Sequence, residues 1–374
     1  MTNTYPMISW NEAGKSCTAH WRSESGLPPP KKVMVADDTM KADAAYRLAC
    51  EGTALLWRGD FQNARQLLAA MSRRADRKER KTSSIPSESF NLHRQAQSQR
   101  ARTLAMILIP MDRDYTIPLR RAPMMQQACH EAYGAAGEAS VVSLRELLGL
   151  IGAHEWRKKG VEIAALGERI YPHYGVFSPV RGEYLELVNT SPLPSTKLAF
   201  DIGTGTGVLT AILAKRGVQH IIATEQDQRA ISCAKENLTR LGLNAQVDVV
   251  HADLFPAGRA PLIVCNPPWI PARPSASIEY AIFDPDSRML RGFINGLAEH
   301  LETNGEGWLV LSDIAEHLGL RTSDELLAWF EGAGLKVKDR MDIAPHHPKV
   351  LDATDPLHAA RKAEITSLWR LSLR

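Results

Sequence analysis

The chain has 374 residues and a formal net charge of +3, with 44% hydrophobic and 23% charged residues. These values are ordinary for a soluble globular protein of two or three domains, and so small a net charge does not by itself indicate a nucleic-acid partner. Five dispersed cysteines without CxxC spacing argue against a disulfide framework or a zinc site and favour the cytoplasm. No apolar run approaches the roughly 18 residues of a membrane helix, so we expect no membrane association.

The first 160 residues divide into two segments. Residues 1–36 lack a sustained periodicity and contain three consecutive prolines, which predicts an irregular N-terminal arm. Between residues 37 and 160, apolar side chains recur every three to four positions, as in amphipathic helices. The pattern predicts helices at about 40–80 (interrupted at Gly59-Asp60), 90–109, 123–133 and 143–159, the last with Ser143 as N-cap and Glu146 at N3. We therefore interpret residues 37–160 as a mainly helical accessory domain that recognises the substrate.

Positive charge is concentrated in one part of this segment. Residues 71–121 contain twelve Arg and Lys against five Asp and Glu, and the helix at 90–109 carries Arg94, Arg100 and Arg102. Such a face can dock nucleic acid, although charge runs are commonly solvated surface. Nucleic-acid binding is therefore one interpretation of this helix.

The second half of the chain has a different pattern. Residues 161–194 are predicted to form a bridging hairpin and a short helix. From residue 195 to residue 374, short buried-strand patterns alternate with helical ones, which is typical of a parallel α/β sheet. Apolar residues alternate through Ile365–Leu373, as expected of a closing antiparallel strand.

A glycine-rich turn follows the first strand of this domain. The strand ends at Asp201 and continues into Gly203, Thr204, Gly205 and Gly207. Glycines allow a backbone to approach a ligand closely and to direct N–H groups at it. The dinucleotide fingerprint G-x-G-x-x-G fails in both registers, which disfavours a nicotinamide oxidoreductase. A carboxylate before the first glycine suits a positively charged amino-acid moiety better than a pyrophosphate.

Acidic residues follow the next two predicted strands. Glu225 stands about twenty residues after the turn, where an acid binds two ribose hydroxyls; alternatively, Glu225 or Asp227 is a helix N-cap. Asp253 follows the third strand and can accept a hydrogen bond from an adenine amino group, or it is simply a turn carboxylate. Together with Asp201 and Asn266, these residues end four successive strands at the carboxyl edge, where open α/β sheets bind ligands.

The fourth strand ends in Asn266-Pro267-Pro268-Trp269. The two prolines interrupt the sheet because neither can donate a backbone hydrogen bond. The Asn266 side-chain oxygen and the Pro267 carbonyl can then accept the two hydrogens of a planar NH2 group, and Trp269 can stack on its plane. Alternatively, the tetrapeptide is a strand-terminating turn with a core tryptophan.

This combination resembles the class I S-adenosylmethionine-dependent methyltransferases, in particular the N-methyltransferases with an Asn/Asp-Pro-Pro-aromatic motif. The resemblance covers about residues 165–315. Phe177–Val188 and Ala234–Asn237 are similar to segments of the release-factor glutamine-N5 methyltransferases and their small-domain relatives. Trp269 replaces the tyrosine usual there, and the N-terminal segment is longer than their small helical bundle.

The resemblance implies a Rossmann-like class I methyltransferase domain with a seven-stranded, mostly parallel sheet and an antiparallel last strand. It implies S-adenosyl-L-methionine as cofactor, bound by the residues at the four strand ends and in the glycine turn, namely Asp201, Gly203, Thr204, Gly205, Gly207, Glu225, Asp253 and Asn266. It also implies Asn266, Pro267 and Trp269 as the catalytic residues.

The predicted reaction is methyl transfer to a planar nitrogen of a macromolecule. A glutamine amide of a protein is favoured, an exocyclic base amine of rRNA, tRNA or DNA is the alternative, and a non-catalytic adaptor is a remote third. His346, His347 and His358 lie near Asp352 and Asp355, and a loop bordering the substrate mouth explains them better than a metal cluster. No metal is therefore expected, and the sequence does not indicate an oligomeric state.

Overall fold

A computed structural model describes residues 5–77, 81, 83–274, 277–346 and 355–374. The chain forms two compact units, which we call the N-terminal unit (Met1–Thr82 and Asn91–Glu155) and the C-terminal unit (Ser83–Phe90 and Trp156–Arg374). None of the described helices combines the length and apolar character needed to cross a bilayer.

The N-terminal unit contains a six-stranded sheet in the order β1-β2-β6-β5-β4-β3. Its strands are β1 Met7–Glu12, β2 Lys15–Arg22, β3 Lys32–Ala36, β4 Thr53–Trp57, β5 Ile107–Met111 and β6 Ser140–Ser143. The helices that begin or end in this part of the chain are α1 Ala42–Cys50, α2 Phe61–Asp76, α3 Pro86–Leu104, α4 Gln126–Tyr133 and α5 Leu144–Lys159. Strands β3, β4 and β5 are mutually parallel, whereas β1–β2 and β5–β6 pair antiparallel.

This architecture corrects one prediction and adds a sheet to another. Residues 1–36 are not an irregular arm, because β1 and β2 form an antiparallel hairpin in which Ile8 and Trp21 are buried. Residues 37–160 are mainly helical, with helices near the predicted positions, but they also contribute strands β4, β5 and β6 to a sheet that the sequence did not predict. The sequence pattern predicts a helix where β4 lies and the end of a helix where β5 lies. Five-residue apolar runs are too short for periodicity to separate a strand from a buried helical turn.

The predicted capping box at the start of α5 is also wrong. Ser143 is the last residue of β6, and its buried hydroxyl has no hydrogen-bond partner among the described residues. Glu146 instead accepts hydrogen bonds from the Tyr133 hydroxyl (2.6 Å) and the Glu24 backbone N–H (3.2 Å). Burial raises the pKa of Glu146 to about 7. This carboxyl is therefore a partly buried group of the N-terminal unit.

The C-terminal unit is built on a seven-stranded sheet in the order β11-β10-β9-β12-β13-β15-β14. The strands are β7 Val161–Ile163, β8 Glu168–Ile170, β9 Leu198–Ile202, β10 His220–Glu225, β11 Val247–His251, β12 Ala260–Cys265, β13 Leu301–Ser312, β14 Leu335–Ile343 and β15 Thr366–Leu373, of which β7 and β8 form a separate hairpin. The helices are α6 Glu183–Thr190, α7 Val208–Lys215, α8 Gln228–Arg240, α9 Arg288–His300, α10 Ile314–His317, α11 Ser323–Gly332 and α12 His358–Ala363. Short 3-10 turns occupy Ser277–Ala281 and Pro285–Ser287.

The sheet confirms the predicted Rossmann-like fold. Strands β11, β10, β9, β12 and β13 are parallel neighbours, and β15 pairs antiparallel with both β13 and β14. The central strands are continuous apolar runs because helices cover both faces of a parallel sheet. The predicted bridging hairpin and short helix are β7–β8 and α6, and they belong to the C-terminal unit.

A short segment from earlier in the chain completes this unit. Ser83–Phe90 includes the first turn of α3 and belongs to the C-terminal unit, whereas the rest of α3 belongs to the N-terminal unit. Phe90 is buried against Ile314 and Leu318, in a cluster that Trp269 also contacts. The residues that surround Trp269 thus come from distant parts of the sequence.

Candidate active site

Four predicted site residues lie at one edge of the seven-stranded sheet. Asp201 is the penultimate residue of β9, Glu225 ends β10, Asp253 follows β11 by two residues and Asn266 follows β12 directly. The four strands are parallel neighbours, so their carboxyl ends meet at the same edge. This is the edge at which open α/β sheets bind ligands.

The glycine turn connects β9 to α7 with its backbone in left-handed conformations. Gly203, Gly205 and Gly207 have φ angles of +73°, +57° and +81°. The backbone N–H groups of Gly203 and Thr204 both donate to the Thr224 carbonyl, at 3.0 and 2.9 Å. A Cβ added to Gly203 would lie 2.4 Å from the Met289 methyl carbon, whereas one added to Gly205 would meet nothing within 4 Å. The turn is therefore packed at its first glycine and open at its second.

Asp201 holds this turn against the start of α7. One of its carboxylate oxygens accepts hydrogen bonds from the Thr204 hydroxyl (2.7 Å), the Thr210 hydroxyl (2.6 Å) and the Thr210 backbone N–H (3.2 Å). Asp201 is only 1% exposed, and burial raises its pKa in spite of these three donors. Its visible role is to order the turn, and a direct contact with a bound amino-acid moiety stays a prediction.

Glu225 lines the open part of the turn. One of its oxygens accepts from the Gly205 backbone N–H at 3.1 Å, and the other accepts from the backbone N–H groups of Gln226 (2.8 Å) and Asp227 (3.1 Å). The N-cap of α8 is Asp227, whose side chain accepts from the Arg229 N–H at 2.7 Å. The carboxylate of Glu225 is thus held at the strand end and is not the helix cap.

Asp253 is the most exposed of the four. Its side chain is 56% exposed and accepts hydrogen bonds from the Gln226 amide and from the Arg288 guanidinium, the latter at 2.7 Å. The next residue, Leu254, has a φ of +69°. This backbone conformation is uncommon for residues other than glycine, and residues that adopt it cluster at functional sites. The sequence analysis did not identify Gln226 or Arg288, because neither stands in a strand-end motif.

The Asn-Pro-Pro-Trp segment has an internal hydrogen bond that the sequence did not predict. The Trp269 indole N–H donates to the Asn266 side-chain oxygen at 2.9 Å. The Arg181 guanidinium lies over the Trp269 ring, 5.5 Å from its centroid, and the Tyr184 ring meets it edge-on at 6.4 Å and 88°. The Arg181 cation therefore covers one face of the indole. The ring surface left for stacking on an acceptor group is smaller than the sequence predicts.

Arg181 is itself fixed by a buried acid. Its Nη1 donates to a Glu364 oxygen at 3.2 Å, and the Ser312 hydroxyl donates to the same oxygen at 2.7 Å. Glu364 is 3% exposed and precedes β15. Arg181 lies in the segment Phe177–Val188, which resembles a segment of the release-factor glutamine-N5 methyltransferases. The sequence predicts no side-chain contact for Arg181. Its partner is 183 positions away, so no local pattern could have identified the pair.

Asn237 connects the glycine turn to the segment after the β7–β8 hairpin. Its Nδ2 donates to the Thr206 carbonyl at 3.0 Å, and its Oδ1 accepts from the Tyr171 backbone N–H at 2.8 Å. Asn237 is buried on α8 and belongs to the Ala234–Asn237 segment noted in the sequence. The hydrogen bonds give this segment a structural role at the turn.

Residues 169–330 match the family model described as the methyltransferase small domain. The segment is a class I methyltransferase domain.

Curated relatives of this methyltransferase domain include two kinds of enzyme. The release factor glutamine methyltransferase of Caulobacter vibrioides is 30% identical over 168 residues, which cover 42% of this chain and 58% of that protein. A putative protein N5-glutamine methyltransferase of Methanocaldococcus jannaschii is 29% identical over 153 residues, 39% of this chain and 75% of that protein. The tRNA1(Val) (adenine(37)-N6)-methyltransferase of a Shewanella species is 27% identical over 143 residues, 36% and 60% respectively. The chain thus spans less than two thirds of its release-factor relative.

Three histidines of predicted interest follow the methyltransferase domain, at positions 346, 347 and 358. The His346 backbone N–H donates to Glu183 at 2.7 Å. His358 begins α12, and its buried Nδ1 has no hydrogen-bond partner within the part of the chain that the structure describes. His347 and Asp352 lie outside the described residues. The described residues contain no group of three His, Cys, Asp or Glu side chains that could hold a metal ion. Leu357 and Ala360, on either side of His358, pack in the cluster that includes Trp269.

Proposed function

We propose that this chain is an S-adenosylmethionine-dependent N-methyltransferase whose acceptor is the side-chain amide of a glutamine in a protein. The observation that carries the proposal is the position of Asn266-Pro267-Pro268-Trp269. The tetrapeptide directly follows β12, the sheet neighbour of the strand that ends in the glycine turn. An acceptor site and a cofactor site would therefore lie side by side at one sheet edge.

The residues at this edge fit S-adenosylmethionine, which supplies a methyl group on a sulfonium. The open space at Gly205 allows close approach to the backbone, and the Glu225 carboxylate beside it can accept hydrogen bonds from ribose hydroxyls. Asp253 can accept from an adenine amino group once Gln226 or Arg288 gives way. Asp201 keeps the turn in its left-handed conformation.

The acceptor chemistry explains the need for two hydrogen-bond acceptors. An amide nitrogen is a poor nucleophile because its lone pair is delocalised into the carbonyl group. If Asn266 Oδ1 and the Pro267 carbonyl accept its two hydrogens, they align the nitrogen and stabilise the positive charge that develops on it. The methylated nitrogen then becomes acidic and loses a proton, so no strong base is required.

A protein glutamine is the acceptor that the observations support best. The relatives from Caulobacter vibrioides and Methanocaldococcus jannaschii are named for glutamine methylation. In addition, the Arg181 guanidinium covers part of the Trp269 ring on which a nucleobase would stack. An amide side chain needs no such stacking surface, so it is compatible with the covered indole.

The second candidate acceptor is an exocyclic amine of a nucleobase. The Shewanella relative, named for adenine-N6 methylation of a tRNA, favours it. The basic helix α3 contributes less than its composition suggests, because Arg100 forms an ion pair with Asp76 at 2.8 Å. Either acceptor makes the substrate macromolecular.

The experiment supplies the purified chain with methyl-labelled S-adenosylmethionine and offers release-factor protein, tRNA and rRNA in separate reactions. We expect label on glutamine of the protein. The Asn266→Ala variant should lose about 2–4 kcal/mol in kcat/KM while keeping its affinity for S-adenosylhomocysteine. Label on RNA alone would replace the first candidate by the second, and label on no macromolecule would refute both.

A further inference from the structure

The hydrogen bond between Trp269 and Asn266 assigns a second role to the tryptophan. We propose that the Trp269 indole N–H is a positioning group that fixes the orientation of the Asn266 amide, so that Oδ1 and not Nδ2 faces the acceptor nitrogen. This inference rests on the proposed function, because it concerns the acceptor half of the same site. It differs from the stacking role that the sequence suggested for the same residue.

The backbone alone leaves this amide orientation undecided. Pro267 restricts Asn266 to extended backbone conformations, so the position of its Cβ is well defined. The terminal torsion of asparagine is broad and roughly two-fold, and its oxygen and nitrogen are similar in size. A rotation of 180° would present two N–H donors where the acceptor amide also brings N–H donors. Methyl transfer therefore needs a group that selects the correct orientation.

An indole N–H is suited to this selection because it donates and cannot accept. It can bond to Oδ1, as it does at 2.9 Å, but it opposes Nδ2 in the rotated orientation. A carbonyl oxygen has two lone pairs. Trp269 therefore occupies one of them and leaves the other for a hydrogen of the acceptor nitrogen.

The indole can act as a fixed reference because its own position is determined by neighbours. Arg181 lies over the ring, and Glu364 holds Arg181 through the bond at 3.2 Å. The Ser312 hydroxyl holds Glu364 in turn, and the buried Tyr184 meets the ring edge. Fixed neighbours on two sides restrict rotation of the indole and keep its N–H directed at Asn266.

A double-mutant cycle separates orientation from stacking. Trp269→Phe removes the N–H and keeps an aromatic ring, while Asn266→Asp replaces the amide by a carboxylate whose two oxygens are equivalent. In the Asn266 background, Trp269→Phe should lower kcat about three- to tenfold, the value of one hydrogen bond, with little change in acceptor KM. In the Asn266→Asp background the same substitution should change kcat less than about twofold. Trp329→Phe, which removes an indole N–H on α11, is the matched control and should leave kcat unchanged.

An NMR measurement tests the orientation without turnover. The Asn266 side-chain NH2 should give one narrow pair of resonances in the wild-type chain and a doubled or broadened pair in Trp269→Phe. The inference is overturned if the resonances are equally narrow in both, if Trp269→Phe lowers kcat equally in both backgrounds, or if Trp269→Phe raises kcat. A chain that methylates nothing would refute the proposed function, whereas the NMR result would still decide the orientation.

Discussion

Two glycines at the ends of α7 allow the cofactor role of the turn to be separated from its folding role. Gly205 precedes the helix and Gly217 follows it; their φ angles are +57° and +91°, and a Cβ on either would meet nothing within 4 Å. Alanine meets no steric clash with the described residues at either position, and its backbone strain is at least as large at Gly217, whose φ lies outside the left-handed region of about +50° to +70°. Only Gly205 lies beside Glu225, at the open part of the turn. The pair Gly205→Ala and Gly217→Ala therefore isolates the effect of a methyl group at the proposed cofactor site.

The expected loss of stability in Gly205→Ala is small. A left-handed conformation costs an alanine about 1–2 kcal/mol, and the reduced freedom of the unfolded chain returns about 0.4–1 kcal/mol. The net loss of about 1 kcal/mol corresponds to a fall in Tm of about 2–4 °C for a domain of this size. In Gly205→Ala, the added methyl group also fills space that a ligand contacting the turn would use. We expect its affinity for S-adenosylhomocysteine to fall at least about tenfold.

Calorimetric titration with S-adenosylhomocysteine and thermal unfolding of both variants check these expectations. Gly217→Ala should bind as the wild-type chain does, although its Tm falls at least as far as that of Gly205→Ala. If Gly205→Ala binds as tightly as Gly217→Ala, the open space at Gly205 is not part of the cofactor site. If Gly205→Ala instead fails to fold, the turn has a larger structural role than its free space indicates.

Two further substitutions test the partly buried acid Glu146 and the buried amide Asn237. Burial raises the pKa of Glu146 from its ordinary 4.5 to about 7. The contribution of Glu146 to the free energy of unfolding is therefore complete below pH 4.5 and is lost as the pH rises through 7. This loss is at most about 3 kcal/mol. Urea unfolding at pH 5 and pH 8 should show this loss in the wild-type chain and less of it in Glu146→Gln; equal pH dependence would contradict the assignment. Asn237→Ala leaves the Tyr171 N–H and the Thr206 carbonyl without their partner, and should lower the free energy of unfolding by about 1–3 kcal/mol. An unchanged urea midpoint would show that water replaces the amide.

The strand ends of the C-terminal unit were predictable because local signals coincide there. The apolar run Leu262–Cys265 is buried between two parallel strands, and the following prolines end it. Glu225 likewise closes a buried strand immediately before a helix. Where parallel strands end in polar residues, the rules of α/β folds place those residues at one edge without further information.

The N-terminal sheet was not predictable from local sequence patterns. Neither were two side-chain contacts in the site, Arg181–Glu364 and Trp269–Asn266. Leu55–Trp57 and Ile107–Met111 are short apolar runs that fit a helix or a strand, and Pro110 suggested a helix end. The residues of the Arg181–Glu364 pair are 183 positions apart in the sequence. Their contact depends on the tertiary structure and not on a local pattern. The bond from Trp269 to Asn266 spans three positions but depends on side-chain rotamers, which residue spacing does not specify.

The C-terminal unit is formed by two separate stretches of the chain, and this affects how the chain can be divided into fragments. A polypeptide that starts at residue 156 would contain every strand of the seven-stranded sheet and every predicted site residue. It would nevertheless lack Phe90, which fills space against Ile314 and Leu318 in the cluster shared by Trp269. The shortened polypeptide would therefore lack packing close to Trp269. An inactive fragment would not reveal whether the N-terminal unit recognises the substrate. A cut that keeps Ser83–Phe90 attached, for example by circular permutation, would preserve the cluster and make that question answerable.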